Sequence, residues 1–168
     1  MANAQNVLVG SATLRVAPIG TTIPVFTASP LAWDAAWKQV GYTKDGTKLD
    51  YNPTFTDITV DEEDAPIDKR LTGEKAVISA NVAEATLDNI ATAIAGVNGA
   101  PVVVAAVGGA KGTKTIKVGS GKAAKMMVSL EGVSPDGLSR VVVGYIAIAT
   151  GNLSLAFKKN SEVIVPMS

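Results

Sequence analysis

At 168 residues the chain is long enough for one domain that buries about 70% of its unfolded surface, and short for two. It has no cysteine and no histidine, which excludes disulfides, thiolate metal sites and the Ser-His-Asp and Cys-His nucleophilic machineries. Its 15 basic and 15 acidic residues cancel in a chain that is 47% hydrophobic and 18% charged, so no global basic field draws nucleic acid. Two readings then stand: a well-packed monomer, or a subunit whose apolar surface is buried in an assembly.

The stretch before Pro18 lacks the positive start and unbroken apolar run of a signal peptide. No apolar run reaches the length of a membrane span, since even 138–149 carries Ser139 and Arg140. The expectation is a soluble protein made in a cytoplasm.

Short runs of valine, isoleucine and threonine punctuated by glycine predict strands throughout. The first covers 7–16, and an irregular stretch over 17–36 follows, marked by Pro18, Gly20, Pro24 and Pro30. Trp37 to Thr43 is a short strand, and Lys44-Asp45-Gly46-Thr47 reads as a turn. In 48–60, Leu49, Tyr51 and Phe55 share one face while Ile58 and Val60 fall on the other. That slip of phase predicts a bend or bulge between Phe55 and Ile58, and Pro53 puts the strand on a sheet edge or lets it enter a ladder only beyond that point. Residues 61–66 are a solvated acidic loop.

From 74 to 84 the alternation is clean: Ala76, Ile78, Ala80 and Val82 face one way, Ser79 and Asn81 the other. One helix is predicted over 85–96, capped by Thr86, with Leu87, Ile90, Ala91 and Ile94 on one stripe and Gly96 as its stop. Strands at about 101–106, 113–118, 123–133, 138–149, 153–158 and 162–166 complete a mainly β chain. The expected architecture is a single β-sandwich or barrel domain over 1–168 with one flanking α-helix.

Few constellations carry chemistry. The stretch around Gly121-Lys122 fails as a phosphate loop, because Ile116 stands where glycine is needed and Ala123 where a magnesium-binding hydroxyl is needed. It reads as a hairpin with solvated lysines. Asp61, Glu62, Glu63 and Asp64 lack the alternate spacing and central glycine of a calcium loop. Charge is nonetheless uneven. Residues 43–75 hold nine acids against five bases, a net of 5 − 9 = −4, whereas 107–125 hold five lysines and no acid. Either these are solvated loops, or the acidic loop of one copy meets the basic hairpin of the next, which names Asp61, Glu62, Glu63, Asp64, Lys69, Arg70, Lys111, Lys114 and Lys117 as stacking candidates. No carboxylate pair stands out as an acid and base. Trp33 and Trp37 read as an anchor for the N-terminal segment rather than a ligand platform.

The order VAPIGTTIP (16–24), LAWDAAW (31–37) and WKQVGYTKDGTKLDY (37–51) resembles the N-terminal region of siphophage major tail, or tail tube, proteins. The positions matching that family's motif are Trp37, Val40, Gly41, Tyr42, Asp45 and Gly46; the acidic stretch, Lys69 to Glu74 and ATLDNIATAI continue the likeness to about residue 95. The resemblance implies a tail-tube-like β-sandwich with one flanking helix, an extended N-terminal arm (17–36) and a long inter-ring loop (43–72). It also implies a non-enzymatic structural protein of the virion tail, assembled in the bacterial host cytoplasm. Its subunits would form rings, commonly hexamers, stacked around the tape measure protein, meeting tail terminator and tail-tip proteins and passing viral double-stranded DNA without sequence-specific binding. Six subunits giving four strands each would close a barrel about 48 Å across, wide enough for a duplex after side chains narrow it. Ser79 and Asn81 are then the lumen-face candidates, polar but uncharged, so that DNA slides. No catalytic residue, cofactor or metal ligand is assigned. Rival readings are a capsid decoration or stabilising protein and a β-sandwich binding module.

Overall fold

The computed structural model describes residues 12–26, 31–94, 102–105, 111–119, 122–133, 139–157, 159 and 162–168. It is mainly β, with several antiparallel sheets and one short helix. The strands are β1 (Thr13–Pro18), β2 (Lys38–Gln39), β3 (Thr43–Ile58), β4 (Asp68–Val82), β5 (Val102–Val104), β6 (Thr113–Thr115), β7 (Lys125–Val133), β8 (Ser139–Ile148) and β9 (Val165–Met167), with α1 (Leu87–Ala93) between β4 and β5. A four-stranded sheet runs β2-β1-β7-β8, a three-stranded sheet β3-β4-β9, and β5-β6 form a separate hairpin.

The two larger sheets share one core. Leu14 of β1, Val128 and Leu130 of β7, Ala80 and Val82 of β4, Val165 of β9 and Ala93 of α1 bury together, with Val40 closing one end. A smaller cluster, Ala17, Trp37 and Met127, lies on the other face of the four-stranded sheet, because alternate residues of β1 and β7 point there. The described part of 17–36 is therefore not an extended arm. It folds back over its own sheet, with Ile23 and Trp33 packed on that cluster and Trp37 Nε1 donating to Thr22 O at 2.9 Å.

Several expectations shift. The part of the first strand that is described starts at Thr13 and runs to Pro18. The strand expected over Trp37–Thr43 shrinks to two residues, because Gly41 takes φ +100° and turns the chain out of β2. The turn expected at 44–47 is absorbed into β3 as a bulge: Lys44 pairs with Asn81 and Thr47 with Ala80, leaving Asp45 and Gly46 as extra residues at φ 64° and 79°. A second irregularity falls between Thr54 and Phe55, where β4 carries the additional Thr72. The break of phase was foreseen slightly later and on the other strand. Residues 153–158 form no strand in their described part, although Leu153 and Leu155 still pack on the core.

The helix is shorter than 85–96. Thr86 caps it as expected, its hydroxyl accepting from Asn89 N at 3.2 Å, but Ile94 is already extended. Ala93 is its buried residue, with Ile90 packed beside it. Gly96 lies outside the described residues. No described helix is long and apolar enough to cross a membrane.

Candidate assembly surfaces

The segment expected as a long loop over 43–72 is instead most of a β-hairpin, β3 and β4, whose outer part leaves the sandwich as a two-stranded arm. Residues 51–72 are all exposed. The hairpin is long because register pairs run without interruption from Thr43↔Val82 to Ile58↔Asp68 apart from the two bulges. β3 pairs only with β4 and so is a sheet edge, which is where Pro53 is tolerated.

One face of this arm is largely apolar, interrupted by the Pro53–Glu74 pair. Val82, Ala80 and Ile78 point into the core, and by alternation Ala76 continues that face outward. Leu49 lies opposite Ile78, Tyr51 opposite Ala76, and Phe55 opposite Leu71. The row passes from full burial at Val82 to 55% exposure at both Tyr51 and Phe55. The core-facing pattern thus outruns the sheet that covers it. A two-stranded ribbon standing alone in water is marginal, so this face is the strongest interaction candidate in the fold. The opposite face is polar, with Thr54, Thr56 and Thr72 linked by hydroxyl hydrogen bonds.

The tip joins β3 to β4. Ile67 N donates to Ile58 O at 2.9 Å, and Asp61, Glu62, Glu63 and Asp64 lie beyond that bond, fully in solvent. Lys69 lies directly across from Asp57 and pairs with it at 3.4 Å, while Arg70 is exposed opposite Thr56. Tyr51 Oη donates to Glu74 at 2.9 Å, and this bond holds the phenol above its ordinary pKa.

Of the residues that carry the resemblance, Gly41, Tyr42, Asp45 and Gly46 lie at the foot of the arm, and Trp37 lies in the smaller cluster. Trp37 is buried, 5.0 Å from Trp33 in an edge-on arrangement, consistent with an anchor. Gly41 passes beside the Glu84 carboxylate, which accepts from Tyr42 N at 3.1 Å. Asp45 and Gly46 make the bulge, and Tyr42 is exposed. Lys44 pairs with Glu162, which holds the lysine pKa above its ordinary value. Ser79 and Asn81 are half-buried and border an open cavity of about 340 Å³ with Asp45, Lys48, Gly151 and Ser168.

The basic hairpin is less free than its sequence implies. Lys111, Lys114 and Lys117 are exposed, but Lys114 pairs with Asp88 in the first turn of α1. The structure therefore brings Lys114 to the helix and leaves the acidic tip without a described cation from this hairpin.

Two polar groups escaped the sequence reading. Asn89 Nδ2 donates to Val40 O and Glu84 O, both at 2.8 Å, tying α1 to the foot of the arm; the Thr86-x-x-Asn89 spacing was its only signal. Glu131 accepts from Arg15, from Trp33 Nε1 at 3.2 Å and from Ser139 Oγ at 2.9 Å, with the Arg15 guanidinium 4.7 Å over the Trp33 ring. Nothing in the sequence places these four residues together. Among the described residues, no group of three or more acidic side chains is placed to hold a metal ion.

A second cavity, of about 400 Å³, opens between the two large sheets beside the arm's foot. It is lined largely by apolar side chains, among them Val16, Ile78, Met126, Ile146 and Ile148. No family model matches the chain, and no curated protein matches it.

Proposed function

We propose that this chain is a structural, non-enzymatic subunit of a phage tail tube, self-assembling into stacked rings of six around a tape measure protein to form the channel for DNA ejection. The observation that carries the reading is the arm: a largely apolar, cross-strand-paired face that leaves the core and keeps Tyr51 and Phe55 55% exposed. Such a face is costly in a free monomer and useful in a polymer. The sequence likeness over about residues 7–95 supplies the particular assembly. In that assembly the acidic tip and the lysines at 111 and 117 meet between rings, and Ser79 and Asn81 face the lumen.

Negative-stain electron microscopy of the purified protein, concentrated and incubated for a day, tests this reading. Hollow tubes or stacked rings with a channel wide enough for duplex DNA are the expected result. Compact trimers that bind capsids would replace it with the decoration-protein reading.

A further inference from the structure

We infer that the apolar face of the arm seats in the inter-sheet groove of a second copy of the chain, with Tyr51 and Phe55 as its anchors. The inference rests on the self-assembly proposed above and names its contact.

Both halves of the contact are present in one molecule, and neither is filled by the described residues. The arm offers Leu49, Tyr51, Phe55 and Leu71 in one cross-strand row, exposed by 42%, 55%, 55% and 43%. The groove is an apolar cleft between β4 on one side and β7 and β8 on the other, with Ile146 and Ile148 of the edge strand exposed on its lip by 67% and 39%. The apolar side chains of the row suit an apolar cleft, and the one carboxylate on the row, Glu74, keeps a partner in the Tyr51 hydroxyl.

The arm cannot fill its own groove. Ala76 and Ile78 belong both to the arm's apolar row and to the groove wall, so the arm leaves directly from that wall. From Tyr51 to Ile58 it then extends about 24 Å outward as a paired ribbon. Doubling back would break the register that holds it straight.

Charge favours the same occupant. Lys75 lines the groove, and Lys125 stands exposed next to the lining Met126. The seated part of the arm carries Glu74, which lies opposite Pro53 between Tyr51 and Phe55. An apolar ribbon with one carboxylate among its anchors entering a lysine-rimmed apolar cleft is complementary in both respects. The four exposed side chains of the row supply about half of the roughly 800 Å² that each partner contributes to a standard interface. Because arm and groove are different surfaces, each contact leaves one arm and one groove open. Repetition closes a ring or runs on as a filament.

The absence of native cysteine makes disulfide trapping clean. Phe55→Cys and Ile146→Cys both replace exposed side chains, so the fold should tolerate them. Under mild oxidation at assembling concentration, the two single variants mixed together should give a Phe55→Cys–Ile146→Cys dimer, and the double variant a ladder. Each single variant alone should give neither. Tubes seen by microscopy without the mixed dimer would overturn this contact and leave the tube reading standing. The ladder on oligomers that are not tubular would uphold the contact and count against the tube. Neither tubes nor ladder would overturn both. As a second measurement, Phe55→Glu and Ile146→Glu should each weaken association by on the order of ten-fold or more. Association of either at the wild-type level would also overturn the contact.

Discussion

Gly41 passes so close to Glu84 that a Cβ built on the glycine would lie 2.5 Å from the glutamate carboxylate, in a backbone conformation at φ +100°. The carboxylate uses that space to accept from Tyr42 N at 3.1 Å, and Tyr42 O in turn accepts from Ala83 N at 2.9 Å. The glycine of the Gly-Tyr pair thus lets the chain turn from β2 into the foot of the arm.

Gly41→Ala is expected to destabilise the fold by about 1–3 kcal/mol, measured by urea unfolding. Most of the loss comes from the positive φ, because the Glu84 carboxylate is the free end of a flexible side chain and can move. Gly41→Ala/Glu84→Ala should therefore recover little. Full recovery in the double variant would show that crowding, not backbone strain, fixes the glycine.

Asn89→Ala should cost about 2 kcal/mol, since it removes the side-chain donor to the Val40 carbonyl and one of the two donors to the Glu84 carbonyl, which keeps Thr86 N. Thr86→Ala, which removes the cap alone, should cost about 1 kcal/mol. Equal losses would mean that the asparagine acts only through the helix end. A larger loss for Asn89 identifies it as the tie between α1 and the arm.

Glu131→Ala is expected to cost about 3 kcal/mol, because Arg15 is left as a mostly buried cation and Trp33 Nε1 and Ser139 lose their acceptor. Tryptophan fluorescence should change with it, as the Arg15 guanidinium lies 4.7 Å over the Trp33 ring. An unchanged emission spectrum would place Trp33 elsewhere in solution.

Tyr51 should ionise above the pH of free tyrosine, because its hydroxyl donates to Glu74. A raised folded pKa means that the bond's contribution is fully present below the ordinary phenol value and is lost as pH rises through the folded one. The phenolate absorbance missing from Tyr51→Phe reports this midpoint. Glu74→Gln should lower it; an unmoved midpoint would remove Glu74 as the cause.

Deleting 61–66 should leave thermal unfolding unchanged within about 0.5 kcal/mol, as every residue removed is exposed at the arm's tip. Ring stacking should weaken. Reversing Lys111 and Lys117 to glutamate should slow assembly in the same way, with Lys114 kept because it pairs with Asp88. Assembly rates unaffected by both changes would exclude the electrostatic contact between rings.

The alternating positions of β4 were legible because a strand repeats every two residues, so Ala80 and Val82 declared the core face without any knowledge of the partner sheet. Pro53, which cannot donate to a ladder, narrowed β3 to an edge strand or a late entry into pairing, and the ladder on both sides of it decided for the edge. The helix cap was legible because Thr86 bonds within three residues. Composition alone excluded histidine and cysteine chemistry.

The arm was not legible, and the reason is physical. Lys44-Asp45-Gly46-Thr47 carries the residues of a tight turn, and only the continued pairing of Thr47 with Ala80 makes those residues a bulge inside a longer strand. Likewise Ala76 and Val82 share one sequence pattern, yet one is exposed and the other sealed, because the second sheet covers only part of the first. Local bonding and periodicity reside in neighbouring residues, so the sequence determined the strands, the cap and the face of β4 that turns inward. Which stretch of that face finds a cover depends on residues more than forty positions away, as Leu14 and Leu130 lie from Val82. That choice, and with it the exposed arm, the filled pair Lys114–Asp88 and the open groove, was decided only when the sheets packed.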